Sequence, residues 1–391
     1  MTLRYLTAGE SHGQALVAIL EGLPAGLPLD LLALHTELKR RKLGYGRGAR
    51  QTIEDDAVEV LSGVRHGYTL GSPISLLIRN RDWPNWQTTM AVASVADPRA
   101  GADRTVSVPR PGHADLVGSL KYGHHDMRNV LERSSARETT IRVAIASVAR
   151  QFLGACGIYV ASRVVQVGSV QDATPLDAEL ASLNARVDSS PLRCLGKPAE
   201  QAMIAEVEAA KARGDTLGGV FEVLAFGVPV GLGSYVHWDR RLEAEIGRQF
   251  LSLNAIKGVE VGDGFASAGV PGSLAHDELL PAPHGRVAYA SNRAGGITGG
   301  MSTGQCVVVR AAMKPISTLM QPLHSVKLET GEVAEAHVER SDVCAVPAAA
   351  VIGESLLTLT LAQALLHKFG GDSMAELLPR LEAWHAHTDP A

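Results

Sequence analysis

Aromatic side chains are scarce in this chain: Phe, Trp and Tyr together make up 4 % of its 391 residues. Leucine, valine, isoleucine and alanine must therefore fill the core. The scarcity also weakens nucleic-acid readings, which need exposed rings for bases to stack on. Cysteine is sparse too. Cys156, Cys194, Cys306 and Cys344 lie far apart with no C-x-x-C pair, a spacing that gives neither a disulfide framework nor a zinc signature. Small buried thiols in a reducing cytoplasm are the reading. Charge of one sign is lacking as well. A formal net charge of −4 creates no global field to draw nucleic acid or an anionic membrane, so an anion site must be built locally. No basic n-region followed by an apolar stretch marks a signal peptide. The longest apolar run, 345–366, could span a bilayer by length, but Pro347, Glu354 and Gln363 interrupt it. It reads as the buried helix of a soluble protein. Pro/Ser/Gly linkers and short repeats are also absent, which favours one domain over residues 1–391.

What is present supports a large core: 46 % of residues are hydrophobic and 20 % charged. Helices are expected at 30–41, opened by Asp30 with Leu31, Leu34 and Leu38 at helical spacing. Ser135 and Glu138 form a capping-box pattern before a helix whose apolar face is Ile141, Ile145, Val148 and Phe152. Further helices are expected at 198–213, 239–253, 347–369 and 374–385. β-branched runs at 57–64, 72–78, 157–168, 218–231 and 305–313 read as strands, and 15–24 looks more like strand than helix. Strands and helices do not alternate regularly, which favours α+β with mostly antiparallel sheet over a doubly wound fold.

The stretch Gly9-Glu10-Ser11-His12-Gly13 matches G-x-S-x-G. A nucleophile elbow needs a preceding strand and a following helix. Only ten residues precede Ser11, and a strand is expected after it. The glycines then read as freedom for a tight turn.

Cations dominate the remaining motifs. Residues 39–50 hold six cationic side chains, no acid and three alternating glycines; the first four cations end an expected helix, and Arg47 and Arg50 in the glycine-rich loop suggest an anion clamp. Arg110, His113 and Asp115 share a loop stiffened by Pro109 and Pro111. There arginine could hold a phosphate and imidazole could give a proton. Arg133, Ser134, Ser135 and Arg137 surround an expected helix N-terminus, a ready anion site. His124 and His125 are adjacent but are not read as metal ligands. Residues 291–304 contain five glycines yet fit neither G-x-G-x-x-G nor a P-loop. Lys314, Ser317 and Thr318 follow a strand, and Arg340 and Asp342 precede the last apolar helix, which Asp342 could cap. Together these describe a site for a small, highly anionic ligand. A serine hydrolase and a non-catalytic flavin or sugar-phosphate binder are the alternatives.

Nine strings occurring in order, among them GESHG, RRKLGYGRGARQTIE, RPGHAD, RSSARET, LNAIKGVEVGDGF, SNRAGGITGG, KPIST and RSDVCAVPAA, resemble those of chorismate synthases from residue 7 to about 369. The resemblance implies a β-α-β sandwich, with helices held between two mainly antiparallel sheets. It implies a reduced-FMN-dependent 1,4-anti elimination of phosphate from 5-enolpyruvylshikimate 3-phosphate, giving chorismate without net redox change. It also implies a homotetramer, with reduced flavin from NADPH or from an external flavin reductase. By the same resemblance His12, His113 and Asp342 are catalytic. Arg41, Arg47, Arg50, Arg110, Arg137 and Arg340 clamp substrate. Flavin contacts map to Arg133, Ser134, Ser135, Asn254, Ala255, Gly299, Lys314, Pro315, Ile316, Ser317, Thr318 and Arg340.

Overall fold

The computed structural model describes residues 2–48, 53–96, 101, 104–176, 180–283, 287–339 and 341–388. Among these, the two largest sheets are both antiparallel. The first contains β1 (Arg4–Ala8), β2 (Ala15–Glu21), β3 (Val58–Ser62) and β4 (Ile74–Arg79), in the order β1-β2-β4-β3. The second contains β5 (Tyr159–Val167), β6 (Val170–Gln171), β7 (Gly219–Phe226), β8 (Ile256–Val261) and β9 (Val307–Met313), in the order β8-β9-β7-β5-β6. The fold is therefore α+β.

Period-two patterning sets one face of each sheet against the core. In the first sheet, Leu16, Ala18 and Leu20 pair with Ile78, Leu76 and Ile74, and all six are buried. In the second, Phe221, Val223 and Ala225 pair with Ala311, Val309 and Val307, again all buried. A shift of one residue in either register would turn these side chains to solvent.

Eight helices of seven or more residues lie among the described residues: α1 (Leu31–Lys42), α2 (Asp115–Tyr122), α3 (Arg128–Ser134), α4 (Thr139–Ala155), α5 (Lys197–Ala212), α6 (Leu242–Leu251), α7 (Val346–Phe369) and α8 (Met374–Thr388). α4 packs on β2 and β4, α7 packs on β5 and β7, and α4, α1 and α7 pack on one another. α7 is long and apolar enough to cross a membrane, but 89 % of that stretch is buried inside the protein, so it is a core helix. Each large apolar side chain buried this way contributes roughly 1.5–3 kcal/mol.

The sequence expectations hold with local corrections. Asp30 caps α1 by accepting from the Leu32 N–H at 2.8 Å, while Leu34 and Leu38 are buried and Leu31 is 48 % exposed. Ser135 accepts from the Arg137 N–H at 3.3 Å, but it caps a short 3₁₀ turn, Ala136–Glu138, that precedes α4. Glu138 does not reach back; it pairs with Arg142 at 2.9 Å. Only half of the capping box therefore forms. The apolar run does not take Asp342 as its cap: Ala345 occupies that position, with Pro347 in the first turn.

One buried ionic cluster ties the layers together. Glu354 of α7 is fully buried and accepts from Arg40 (2.9 Å), Arg193 (3.0 Å), Arg150 (2.5 Å) and the Ser162 hydroxyl (2.7 Å). These partners come from α1, α4, β5 and a loop. Burial alone would raise the Glu354 carboxyl, yet the three guanidinium groups hold it well below its usual range. Removing one member of such a cluster strands buried charge. Glu354→Ala is accordingly expected to destabilise the fold by about 3–5 kcal/mol. Urea unfolding measures this, and a loss below about 1 kcal/mol would contradict the role given to the cluster.

Candidate active site

A cavity of about 420 Å³ gathers side chains from both ends of the chain, within the usual 300–1,000 Å³ of ligand sites. Its wall includes His12, Arg41, Arg47, Arg110, His113, Ser134, Ser135, Arg137, Asn254, Ala255, Lys314, Ile316, Ser317, Thr318 and Asp342. Leu131, Met313, Ala348, Ala349 and Ile352 give it apolar surface. Three residues read from sequence as flavin contacts do not line it. Arg133 is exposed and donates to the Gly9 carbonyl (3.1 Å) and to Thr7 (2.9 and 2.8 Å) on the β1 side. Gly299 lies exposed in a turn between the short strands Ile297–Thr298 and Met301–Ser302, and Pro315 is also exposed. Arg50 and Arg340 lie outside the described residues. The expected anion site at a helix N-terminus is also corrected, because Arg133 and Ser134 end α3 and do not begin a helix.

GESHG forms the connection between β1 and β2, so a strand and not a helix follows Ser11. That removes the geometry a nucleophile elbow needs. Gly9 has φ 107°, and a Cβ there would lie 2.3 Å from the Ala15 carbonyl oxygen, so glycine is required. Gly13 is not in the left-handed region; only one of the two glycines serves the turn in that way. The Ser11 hydroxyl lies 3.1 Å from that of Ser135. His12 is buried, with Nδ1 at 2.9 and 3.0 Å from the two carboxylate oxygens of Glu132 on α3. Its ring stacks on Trp86 with centroids 3.8 Å apart.

The cationic side chains divide into two kinds. Arg110 donates to Asp115 through Nε (2.8 Å) and Nη2 (3.0 Å) and to Thr318 through Nη1 (2.9 Å). His113 Nδ1 lies 2.5 Å from the same Asp115. Burial would raise the Asp115 carboxyl, but His113 and Arg110 hold it well below its usual range. Arg137 is buried against Glu54 (3.2 Å), Asp56 and the Asn80 side chain (3.0 Å). Arg47 pairs with Asp342 at 2.8 Å, and the other Asp342 oxygen accepts from the Gly48 N–H at 2.6 Å. A Cβ on Gly48 would sit 2.9 Å from the Ser341 carbonyl oxygen, so this approach needs glycine.

Arg41 and Lys314 differ. Arg41 donates to the Thr139 hydroxyl (3.0 Å) and the Ala136 carbonyl (3.0 Å), both neutral. Burial, with Arg47 and Arg137 nearby, pushes it down to about 9 against the pull of Asp56 and Asp342. That marks a cation short of negative charge. Lys314 donates to the Gly112 carbonyl (3.0 Å) and the Ser317 hydroxyl (3.0 Å). It is lowered by burial and by Lys257. The buried Nε of Arg47 has no partner among the described residues. An anionic ligand would supply what these groups lack. Ala255 adds a strained wall at φ 67°.

Sequence reasoning missed Glu132, Trp86 and Glu54. Glu54 ends the RRKLGYGRGARQTIE string, while Glu132 directly precedes RSSARET and its contact with His12 spans 120 residues. Trp86 lay in a stretch with no distinctive motif. Nothing in local pattern signals either contact.

Comparison with known proteins shows the family. The family model described as chorismate synthase matches residues 3–366. The chorismate synthase of Symbiobacterium thermophilum is 55 % identical over 379 residues, covering 96 % of this chain and 97 % of its own. That of Desulforudis audaxviator is 56 % identical over 376 residues, covering 96 % and 95 %. A crystal structure of chorismate synthase aligns with a TM-score of 0.80 at 40 % identity, covering 100 % of this chain and 99 % of that one. On the strength of these matches, the chain belongs to the chorismate synthase family of phosphate lyases.

Proposed function

We propose that the cavity binds 5-enolpyruvylshikimate 3-phosphate beside reduced FMN and eliminates phosphate, 1,4 and anti, to give chorismate. The observation that carries this reading is the convergence of His12, His113, Asp342 and the undercompensated Arg41 and Lys314 on one cavity. The substrate bears a phosphate and two carboxylates, which is the charge this wall lacks. We also read the two sheets and the helices packed on them as a β-α-β sandwich forming one catalytic domain.

The donor set suits a flavin mononucleotide. Lys314, Ser317, Thr318, Ser134, Ser135 and Asn254 offer hydrogen bonds, Ile316 and Ala255 flank them, and the α7 side chains offer apolar surface for a flat ring. When bound, reduced flavin supplies transient electron density and a nitrogen that can accept the proton removed from the substrate. The protein's own residues position, neutralise and move protons. Arg110, fixed by Asp115, and His113 stand together where a leaving phosphate needs charge and a proton. His12 would hold a proton for a flavin bound in the cavity. Asp342, held by Arg47 and Gly48, is assigned to assisting proton removal.

We further propose a cytoplasmic homotetramer that draws reduced flavin from an external reductase, with NADPH as the ultimate reductant. Leu6 and Ile19 pair across β1 and β2, both exposed, and offer an apolar patch that subunits could cover. The four free cysteines suit a reducing compartment. In anaerobic buffer with dithionite-reduced FMN, the enzyme is expected to release phosphate and chorismate together, and with oxidised FMN neither. Absence of phosphate under reducing conditions would reject the reading. His113→Ala is expected to lower kcat by roughly 10²–10⁴-fold with little change in KM. Steady-state kinetics with an unchanged kcat would remove His113 from the proposed role.

A further inference from the structure

We propose that Glu132 is the positioning residue for His12: it fixes the Nδ1–H tautomer so that Nε2 alone exchanges a proton with the cavity. The inference rests on the reading of His12 as a proton donor.

The geometry leaves little alternative. The Glu132 side chain is fully buried and faces three donors. The His12 backbone N–H reaches Oε2 at 2.7 Å, His12 Nδ1 lies at 2.9 Å from Oε1, and Arg128 Nη1 lies at 3.1 Å from Oε1. The Ser11 N–H adds a bond to the Glu132 carbonyl at 3.0 Å. Burial would raise the Glu132 carboxyl, but the hydrogen bonds and charge of His12, with Arg128, outweigh it and lower it. Glu132 is therefore a carboxylate, which can only accept, and Nδ1 must donate. The tautomer of a histidine is set by the bond its other nitrogen makes.

The ring is held on its face as well. Trp86 stacks at 3.8 Å with an interplanar angle of 20°, and Arg104 and Arg128 lie over Trp86 at 4.1 and 5.1 Å. Among the described residues, the charged groups tied to the imidazole directly or through Trp86 and Arg128 are Glu132 and Arg128 on α3, Arg104 over Trp86, and Glu339, which pairs with Arg128 at 3.2 Å. In the proton transfer, the Nε2–H bond of the imidazolium breaks and the proton passes to an acceptor in the cavity. The ring returns to the neutral Nδ1–H form, and Glu132 stays ionised throughout.

Glu132→Gln tests this because an amide has one accepting and one donating end. The His12 backbone N–H is an obligatory donor, so the glutamine oxygen turns to it at the Oε2 position, 3.0 Å from Nδ1, and the NH₂ takes the Oε1 position, 2.9 Å from Nδ1, where it also displaces the Arg128 donor. A donor then stands against Nδ1 beside the acceptor, and the ring proton is no longer confined to Nδ1 but shifts towards Nε2. Replacing a histidine-orienting carboxylate by an amide can cost roughly 10⁴-fold in kcat through the wrong tautomer. ¹⁵N NMR of histidine-labelled protein, with His12 assigned through His12→Ala, reads the two ring nitrogens directly. We expect Nδ1–H in the wild type, a shift of population towards Nε2–H in Glu132→Gln, and kcat lowered at least about 100-fold with KM within about threefold. Glu132→Asp should keep the wild-type tautomer and recover part of kcat. Ring-nitrogen shifts that are identical in wild type and Glu132→Gln overturn the proposal but leave the role of His12 standing, which the kcat of His12→Ala tests alone. Shifts that move towards Nε2–H with kcat unchanged overturn both.

Discussion

Burying several guanidinium groups around one cavity is the constraint on which the rest of this structure depends. Like charges repel, and each cation loses solvation as it is enclosed. The protein answers by wedging carboxylates between them. Asp115 serves Arg110 and His113, Glu54 and Asp56 serve Arg137, Asp342 serves Arg47, and Glu132 serves His12 and Arg128. Arg41 and Lys314 are left with neutral partners. That imbalance leaves cationic side chains on the cavity wall without a carboxylate hydrogen-bonded to them. It also separates residues that position the machinery from those with charge to spare for a ligand.

The layers exist to hold this arrangement. α1 is capped by Asp30 at one end and carries four basic residues in its last turn. Its neighbours Arg40 and Arg41 point to different tasks, since Arg40 locks onto buried Glu354 while Arg41 lines the cavity. The cluster at Glu354 thus anchors the helix end that delivers Arg41. Elsewhere on the cavity wall, the loop with Arg110 and His113 is stitched to 314–318 by Lys314, Ser317 and Thr318. Rigid placement of this kind is what electrostatic catalysis requires, because donors that are already oriented need no rearrangement as charge develops.

Much of this was legible in the sequence where the signal is local. The β-branched runs became strands within two or three residues of their expected ends, apart from 218–231, where the strand stops at Phe226. Ile141, Ile145, Val148 and Phe152 are all fully buried, as their spacing requires. Short α2 and α3 escaped, because seven or eight residues carry too little periodicity to register. The serines of RSSARE looked like the start of one helix; they sit at the junction of α3 and a 3₁₀ turn. Contacts between residues far apart in sequence, such as Glu132 with His12, Trp86 with His12 and Gly48 with Asp342, belong to tertiary packing and leave no local trace. The cationic motifs marked Arg41, Arg47, Arg110 and Arg137, which line one cavity, but could not say which of them already had partners.

The central claim is that one cavity holds substrate and flavin together, with Arg110 and His113 at the departing phosphate and His12 beside the flavin. A crystal structure with 5-enolpyruvylshikimate 3-phosphate and oxidised FMN tests it most directly. The account predicts the phosphate within hydrogen-bond reach of His113 and Arg110, and the flavin ring between His12 and the 314–318 wall. A phosphate bound away from those two residues, or a flavin outside the cavity, would contradict it.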